Sequence, residues 1–315
     1  MYTNIDNLLR KDFYREEIIS DYKVTELRKR VWAKELEILV LFDRICKENG
    51  LKYYITYGTL IGAVRHKGFI PWDDDIDVEM FRDDYERARE IFKQELKPPF
   101  EWQDMYDILE NPDVGDDTVL KLHPFGKIKN SETAAIEERG MPISVNQGIY
   151  IDIFPLDDAR DDKGFTAEMF ELQKEVYYTI FAGEALRQKM TEERPDTVIP
   201  YDDLTRMMIM PLQDRFKLFE SLLISYAGKS TMVNNKFYEI RGSFPNLSRK
   251  WYAETVDLPV EGMTFQAAGG YERILTTIYG NYMNPVRYGE HSALFDPDRS
   301  YRDYYNGEDF KNDIS

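Results

Sequence analysis

The segment Trp72-Asp73-Asp74-Asp75-Ile76-Asp77-Val78 places repeated carboxylates beside apolar residues. In an extended chain, residues two apart share a face, so Asp73, Asp75 and Asp77 point together while Ile76 and Val78 turn to the core. Two carboxylates about 5 Å apart repel by roughly 3 kcal/mol at an effective dielectric near 20. A divalent cation between them keeps both ionised, and an all-oxygen ligand set selects Mg²⁺ or Mn²⁺ over zinc. A solvated acidic turn is the competing reading of any charge run. Trp72, Ile76 and Val78 favour a buried strand end, where desolvated carboxylates are costly unless they have a partner.

Upstream, Gly58-Thr59 supplies groups of the complementary kind. Glycine at a strand-to-helix turn lets backbone N–H groups approach a phosphate, and the threonine hydroxyl adds a donor. Arg65, His66 and Lys67 then bring positive charge to an acidic neighbourhood, with His66 open between phosphate contact and a structural role. Trp72 and Asp73 flank the run as further substrate contacts. Lys127 and Lys129, two apart, share one face of a short strand from which they could reach a phosphate.

These residues need a scaffold. A helical pattern runs from about Val24 to Glu48, with Trp32, Leu36, Leu39 and Cys46 recurring on one face and Asn49-Gly50 as its stop. Strands are expected at Tyr53–Tyr57, Ile76–Phe81 and Gly148–Phe154, and a short helix or turn at Leu60–Val64. A helix opened by Asp83-Asp84 ends before Pro98-Pro99. Residues 99 to 126 read mainly as excursion and loop, and Asp157 and Asp158 as helix-capping or loop residues. Beyond Pro155, helices dominate, near Thr166–Met190, Pro200–Gly228 and Gly270–Tyr279. The expectation is an α+β fold, a mixed β-sheet core flanked by helices with a mostly helical C-terminal half. It divides into residues 1–160, the catalytic core with its N-terminal helices, and 161–315, a helical substrate-binding region packed on the core.

Composition narrows the function. The chain has 315 residues, 41 Lys plus Arg against 58 Asp plus Glu, and a net charge of −17. That excludes a general nucleic-acid binder, which needs a basic face. A single cysteine, Cys46, excludes an internal disulfide, and three histidines, His66, His123 and His291, leave carboxylates as the natural metal ligands. No run of 18 apolar residues is present, and the N-terminus lacks the order of a secretory signal. The expected compartment is the cytosol.

A Gly-Thr turn separated by 15 intervening residues from Asp75-x-Asp77 resembles the nucleotidyltransferase superfamily. The stretch YGTLIGAVRHKGFIPWDDDIDVEM, with GIYIDIFPLD further along, resembles the LicD family, to which the fukutin group is related. The resemblance also takes in the helix carrying Cys46, the Lys127–Lys129 segment and Tyr279–Met283. It implies a nucleotidyltransferase-like core in which Asp152 joins Asp75 and Asp77 as the third carboxylate, as metal ligand or as general base. Residue pattern agrees, since Asp152 lies opposite the Ile149, Ile151 and Ile153 row. The implied activity moves a phospho-alcohol, typically phosphocholine from CDP-choline, to a hydroxyl of a cell-envelope glycan, with Mg²⁺ or Mn²⁺ bound and CMP released. Gly58, Thr59, Arg65 and Lys129 would cradle the phosphates. The acceptor would be a teichoic acid, lipopolysaccharide or other surface polysaccharide, polymeric or lipid-linked. The enzyme would then work at the inner membrane face without spanning it. Transfer of ribitol or glycerol phosphate stays open, as does true nucleotidyl transfer from an NTP with release of pyrophosphate. Tyr279, Tyr282 and Tyr288 are candidates for a quaternary-ammonium cage.

Overall fold

The computed structural model describes residues 4–115, 123–161, 166–182, 197–287 and 293–306. The chain forms two compact units that alternate along the sequence. Residues 1–104, 125–155 and 251–315 make the first, and 105–124 with 156–250 the second. The division expected at 160/161 is therefore not the one the fold draws, because residues 251–315 return to the first unit.

In the first unit, strands β1 (Glu17–Ile19) and β2 (Tyr22–Val24) form a hairpin that leads into helix α1 (Glu26–Glu48). Thr25 caps α1 by accepting from the Arg28 N–H at 3.2 Å, Glu26 lies in the first turn and Lys47 in the last, where the helix dipole favours each. Its apolar face buries Trp32, Leu36, Leu39 and Cys46, as their spacing led us to expect. Phe42 stacks on Phe92, and Phe92 on Trp102, with ring centroids 5.2 and 5.8 Å apart.

The sheet is built from β3 (Tyr54–Ile55), β4 (Asp77–Phe81), β5 (Phe100–Gln103), β6 (Gly126–Asn130) and the first residues of β8 (Ile149–Ala159). Its order is β3-β4-β8-β6-β5, with β3–β4, β6–β8 and β5–β6 antiparallel. Helix α2 (Tyr57–Arg65) follows β3 directly, and α3 (Arg82–Glu95) follows β4. The strand expected at Tyr53–Tyr57 is thus shorter, and Gly58 sits in the first turn of α2. Strand β7 (Ala134–Ile136) lies off this sheet, paired with Leu294–Asp296. The fold class is α+β, a mixed sheet flanked by helices.

Three local expectations are corrected. Strand β8 continues through Pro155 to Ala159. Its ladder with β6 ends at Ile153, and its pairing with Met232–Asn234 begins at Asp157, so no partner strand requires the N–H that Pro155 lacks. Asp157 and Asp158 are accordingly buried strand residues. Within the second unit, Asp158 pairs with Arg249 and accepts from the N–H groups of Lys229 and Ser230, both at 2.6 Å. The helix expected over Pro200–Gly228 is two, Tyr201–Ile209 and Leu212–Ser225. Met210 is extended at φ −68°, ψ 148°, as a residue preceding proline should be. Finally, the region read as loop contains β5 and the helix Met105–Leu109.

The second unit otherwise packs Val176, Ile180, Leu204, Phe216 and Phe219 into its own core. The helix expected to reach Met190 is described over Ala167–Phe181. In the first unit, the sequence reading did not anticipate the hairpin Thr255–Val260/Met263–Ala268. It turns through Glu261 and Gly262, both at positive φ (48° and 83°), and the Glu261 N–H donates to the Lys67 carbonyl at 2.8 Å. Helix Tyr271–Tyr279 follows. Among the described residues, no helix is long and apolar enough to cross a membrane.

Glu79 in β4 is buried opposite Tyr54 and close to Tyr252. Burial pushes its carboxyl up to about 7, against hydrogen bonding from Tyr252 and Thr56. An acid whose pKa is higher folded than unfolded contributes full stability below its unfolded value. That stability is lost as pH rises through the folded pKa, here amounting to about 3 kcal/mol. Glu79→Gln is expected to match the wild type in Tm near pH 4 and to exceed it at pH 8. Equal melting at pH 8 would contradict the burial penalty.

Candidate active site

Strands β4 and β8 are neighbours, and the Asp152 N–H donates to the Ile76 carbonyl at 2.8 Å. This brings Asp152 beside Asp77 at the start of β4, with Asp75 just before it. One carboxylate oxygen from each of Asp75, Asp77 and Asp152 lies within 4.8 Å of the others. Thr59, on α2, fixes the strand end: its hydroxyl accepts from the Asp77 N–H at 2.8 Å. Gly58 has a steric role there. A Cβ at this position would stand 2.3 Å from the Asp73 Oδ2, so only glycine leaves that carboxylate its place. Helix α1 holds the same loop from the other side, Arg28 and Trp32 both donating to the Asp73 carbonyl, at 3.0 and 2.9 Å.

The charges are unbalanced. Burial, then Asp75 and Asp152, pushes the Asp77 carboxyl well above the usual range. Asp152 is raised to about 6 by burial, with Lys127 opposing and Glu137 and Asp75 adding to the rise. Glu35, buried in α1, is also pushed well up, by burial and then by Asp75, Asp74 and Asp73. Facing them, the Lys127 ammonium lies 3.1 Å from Asp152, 3.2 Å from Glu137 and 3.5 Å above the centre of the Tyr150 ring. Burial would lower Lys127, but Asp152 and Glu137 outweigh it and raise it. Tyr150 donates to Glu137 at 2.7 Å. Burial would raise Glu137, yet Lys127 and Lys129 hold it down to about 2. A cluster of oxygen ligands with surplus negative charge, Asp77 and Asp152 buried and Asp75 half-buried, fits a hard divalent cation such as Mg²⁺ or Mn²⁺.

Beside this cluster opens a cavity of about 180 Å³, whose lining includes Gly58, Arg65, Trp72, Asp73 and Tyr282. The Arg65 Nε donates to the His66 Nε2 at 2.8 Å, its Nη1 to the Tyr282 carbonyl at 3.0 Å, and its guanidinium lies 5.9 Å from the Trp72 ring centre. Burial and then Arg65 lower His66 to about 4, which leaves a neutral imidazole able to accept.

Most of the residues singled out in the sequence therefore meet here. Asp75, Asp77 and Asp152 form one cluster and Lys127 joins it, while Gly58, Arg65, Trp72 and Asp73 line the cavity. His66 lies outside that lining and meets Arg65 instead. Lys129 is buried and donates to the Asn146 carbonyl at 2.7 Å; burial and Lys127 lower it to about 8. Tyr279 and Tyr282 line the cavity, whereas Tyr288 and His291 lie outside the described residues. Glu137, Tyr150 and Glu35 escaped notice. Tyr150 was within reach of the pattern, being two residues before Asp152 and so on its face of the strand. Glu35 lies on the helical stripe between Trp32 and Leu39. Glu137 carries no local signal.

Residues 50–182 match the family model described as LicD/FKTN/FKRP, nucleotidyltransferase domain. The chain is 27% identical over 250 residues to the lipopolysaccharide cholinephosphotransferase LicD of Haemophilus influenzae, covering 79% of this chain and 88% of that one. An uncharacterized protein of Rickettsia prowazekii is 48% identical over 54 residues, 17% of this chain and 18% of the relative. Mannosyltransferase regulator 4 of Saccharomyces cerevisiae is 25% identical over 170 residues, 46% of this chain but 13% of its own length. The matched segment begins just ahead of β3 and ends after the last strand of the carboxylate cluster, and on these grounds residues 50–182 are similar to the LicD-family nucleotidyltransferase domain.

Proposed function

We propose that this chain is a phosphotransferase that moves phosphocholine from CDP-choline to a sugar hydroxyl of a lipopolysaccharide or related envelope glycan, releasing CMP. The observation that carries the reading is the Asp75, Asp77 and Asp152 cluster inside a segment similar to the LicD-family domain, in a chain matching LicD of Haemophilus influenzae over 88% of its length. On this reading those three carboxylates would hold Mg²⁺ or Mn²⁺, which when bound neutralises the leaving oxygen and the charge on the transferred group. Thr59 keeps Asp77 in place through its backbone N–H. Lys127 lies against Asp152 and opposes the rise that burial gives its carboxyl, so this residue would serve as metal ligand or as general base. The donor carries a net charge of about −1, its ammonium offsetting one of two phosphates, so it needs no broadly basic protein. The proposed place of work is the cytosolic face of the membrane, without a span.

Thermal melting with Mg²⁺ and each of CDP-choline, CDP-ribitol, CDP-glycerol and CTP tests the donor. Ligand at 100 times its Kd stabilises by about 2.7 kcal/mol. CDP-choline is expected to give the largest Mg²⁺-dependent rise in Tm, and the product of turnover to be CMP. A rise with CTP alone, with pyrophosphate as product, would replace this reading by nucleotidyl transfer.

A further inference from the structure

We infer that the cavity beside the carboxylate cluster is the subsite for the acceptor sugar, recognised by the turn that follows helix Tyr271–Tyr279. Its volume, about 180 Å³, is below the roughly 300–1,000 Å³ of pockets that enclose drug-sized ligands. A nucleoside diphosphate ester exceeds it, whereas one sugar ring is of its scale. The lining chemistry points the same way. Arg65 only donates, Asp73 only accepts, and the amides of Asn281 and Asn284 do both. An anion would face Asp73 and Asp74, and a quaternary ammonium, though matched by those carboxylates, has no hydrogen-bonding group for Arg65, Asn281 or Asn284. A neutral polyol, each hydroxyl both donor and acceptor, uses every one of these groups and is repelled by none.

The turn is built to stand where it does. Gly280 ends the helix at φ 64°, ψ −115°, a conformation that side-chain-bearing residues avoid. The Asn284 N–H then donates to the Asn281 carbonyl at 3.0 Å, and Arg65 ties the turn down through the Tyr282 carbonyl. Asp73 belongs to the cavity lining, and its carboxylate lies within 4.8 Å of that of Asp75. A hydroxyl bound to Asp73 is therefore adjacent to the cluster at which transfer is proposed. Assignment as an acceptor subsite rests on the proposed transfer reaction; binding of a glycan in this cavity does not.

The test is calorimetric, on the full chain without donor. The probe is the deacylated, phosphocholine-free core oligosaccharide of Haemophilus influenzae lipopolysaccharide, and CDP-choline with Mg²⁺ is titrated separately. Asn281 and Asn284 are exposed, so Asn281→Ala and Asn284→Ala leave the fold intact. Each is expected to weaken oligosaccharide binding at least ten-fold and to leave CDP-choline binding within two-fold of wild type. Unchanged oligosaccharide binding in both variants overturns the proposal, as does a loss of CDP-choline affinity instead, or a wild type that does not bind the oligosaccharide. If the wild type binds the oligosaccharide through these residues but not CDP-choline, the cavity assignment stands and the phosphocholine reading fails.

Discussion

Asp77→Asn is expected to lower transfer at least a thousand-fold while the protein stays folded and melts no lower than the wild type. The two halves of that expectation have one cause. Asp77 is buried among Asp75, Asp152 and Asp73, and burial and these neighbours push its carboxyl far up. An amide of the same shape removes that repulsion, and the Thr59 hydroxyl still accepts from the backbone N–H at position 77. What disappears is charge at the cluster. A loss of a thousand-fold corresponds to about 4 kcal/mol of transition-state stabilisation, within what charge neutralisation by a bound cation supplies. Donor turnover measured beside thermal melting checks both halves. Activity within ten-fold of wild type would remove the cluster from the reaction.

The second large effect is on stability. Lys127→Met deletes an ammonium group held between buried Asp152 and exposed Glu137, at 3.1 and 3.2 Å, and leaves Asp152 without it among the other carboxylates of the cluster. Removing one partner of such a pair costs about 3–5 kcal/mol, because the charge left behind is not compensated. Urea unfolding should show that loss. Adding Glu137→Gln should restore part of it, since one of the stranded charges is then gone and neighbouring changes do not add. If the double variant is less stable than Lys127→Met by the full cost of Glu137→Gln alone, the two residues do not act through each other.

How much of this was visible in the sequence depends on the distance over which each residue is defined. The Asp75-x-Asp77 spacing and the Ile149, Ile151 and Ile153 alternation are local signals, and both give strands whose carboxylates meet. The end of β8 was misread because Pro155 looks like a terminator until the partner strands are known: one ladder stops at Ile153 and the other starts at Asp157. Lys127 reads as one of two equivalent strand lysines. It differs from Lys129 through Asp152 across the ladder and Glu137 on a separate segment, whereas Lys129 donates to Asn146 on another loop, and no local pattern connects these partners. The hairpin Thr255–Val260/Met263–Ala268 is legible in its Val256, Leu258 and Val260 alternation once looked for, but the surrounding helical texture hid it.

That hairpin has a consequence for biosynthesis. A nascent chain elongates at about 5–20 residues per second, so the ribosome releases residues 251–268 some 5–20 s after residue 155. During that interval α1, α2 and the sheet exist without the hairpin that packs Val260, Phe265 and Ala267 into their core. The apolar surface those residues later cover is open until then, and a message truncated before codon 251 leaves it open permanently. Residues 251–268, far along the chain from Asp75, Asp77 and Asp152, thus decide when the unit that carries those carboxylates is finished.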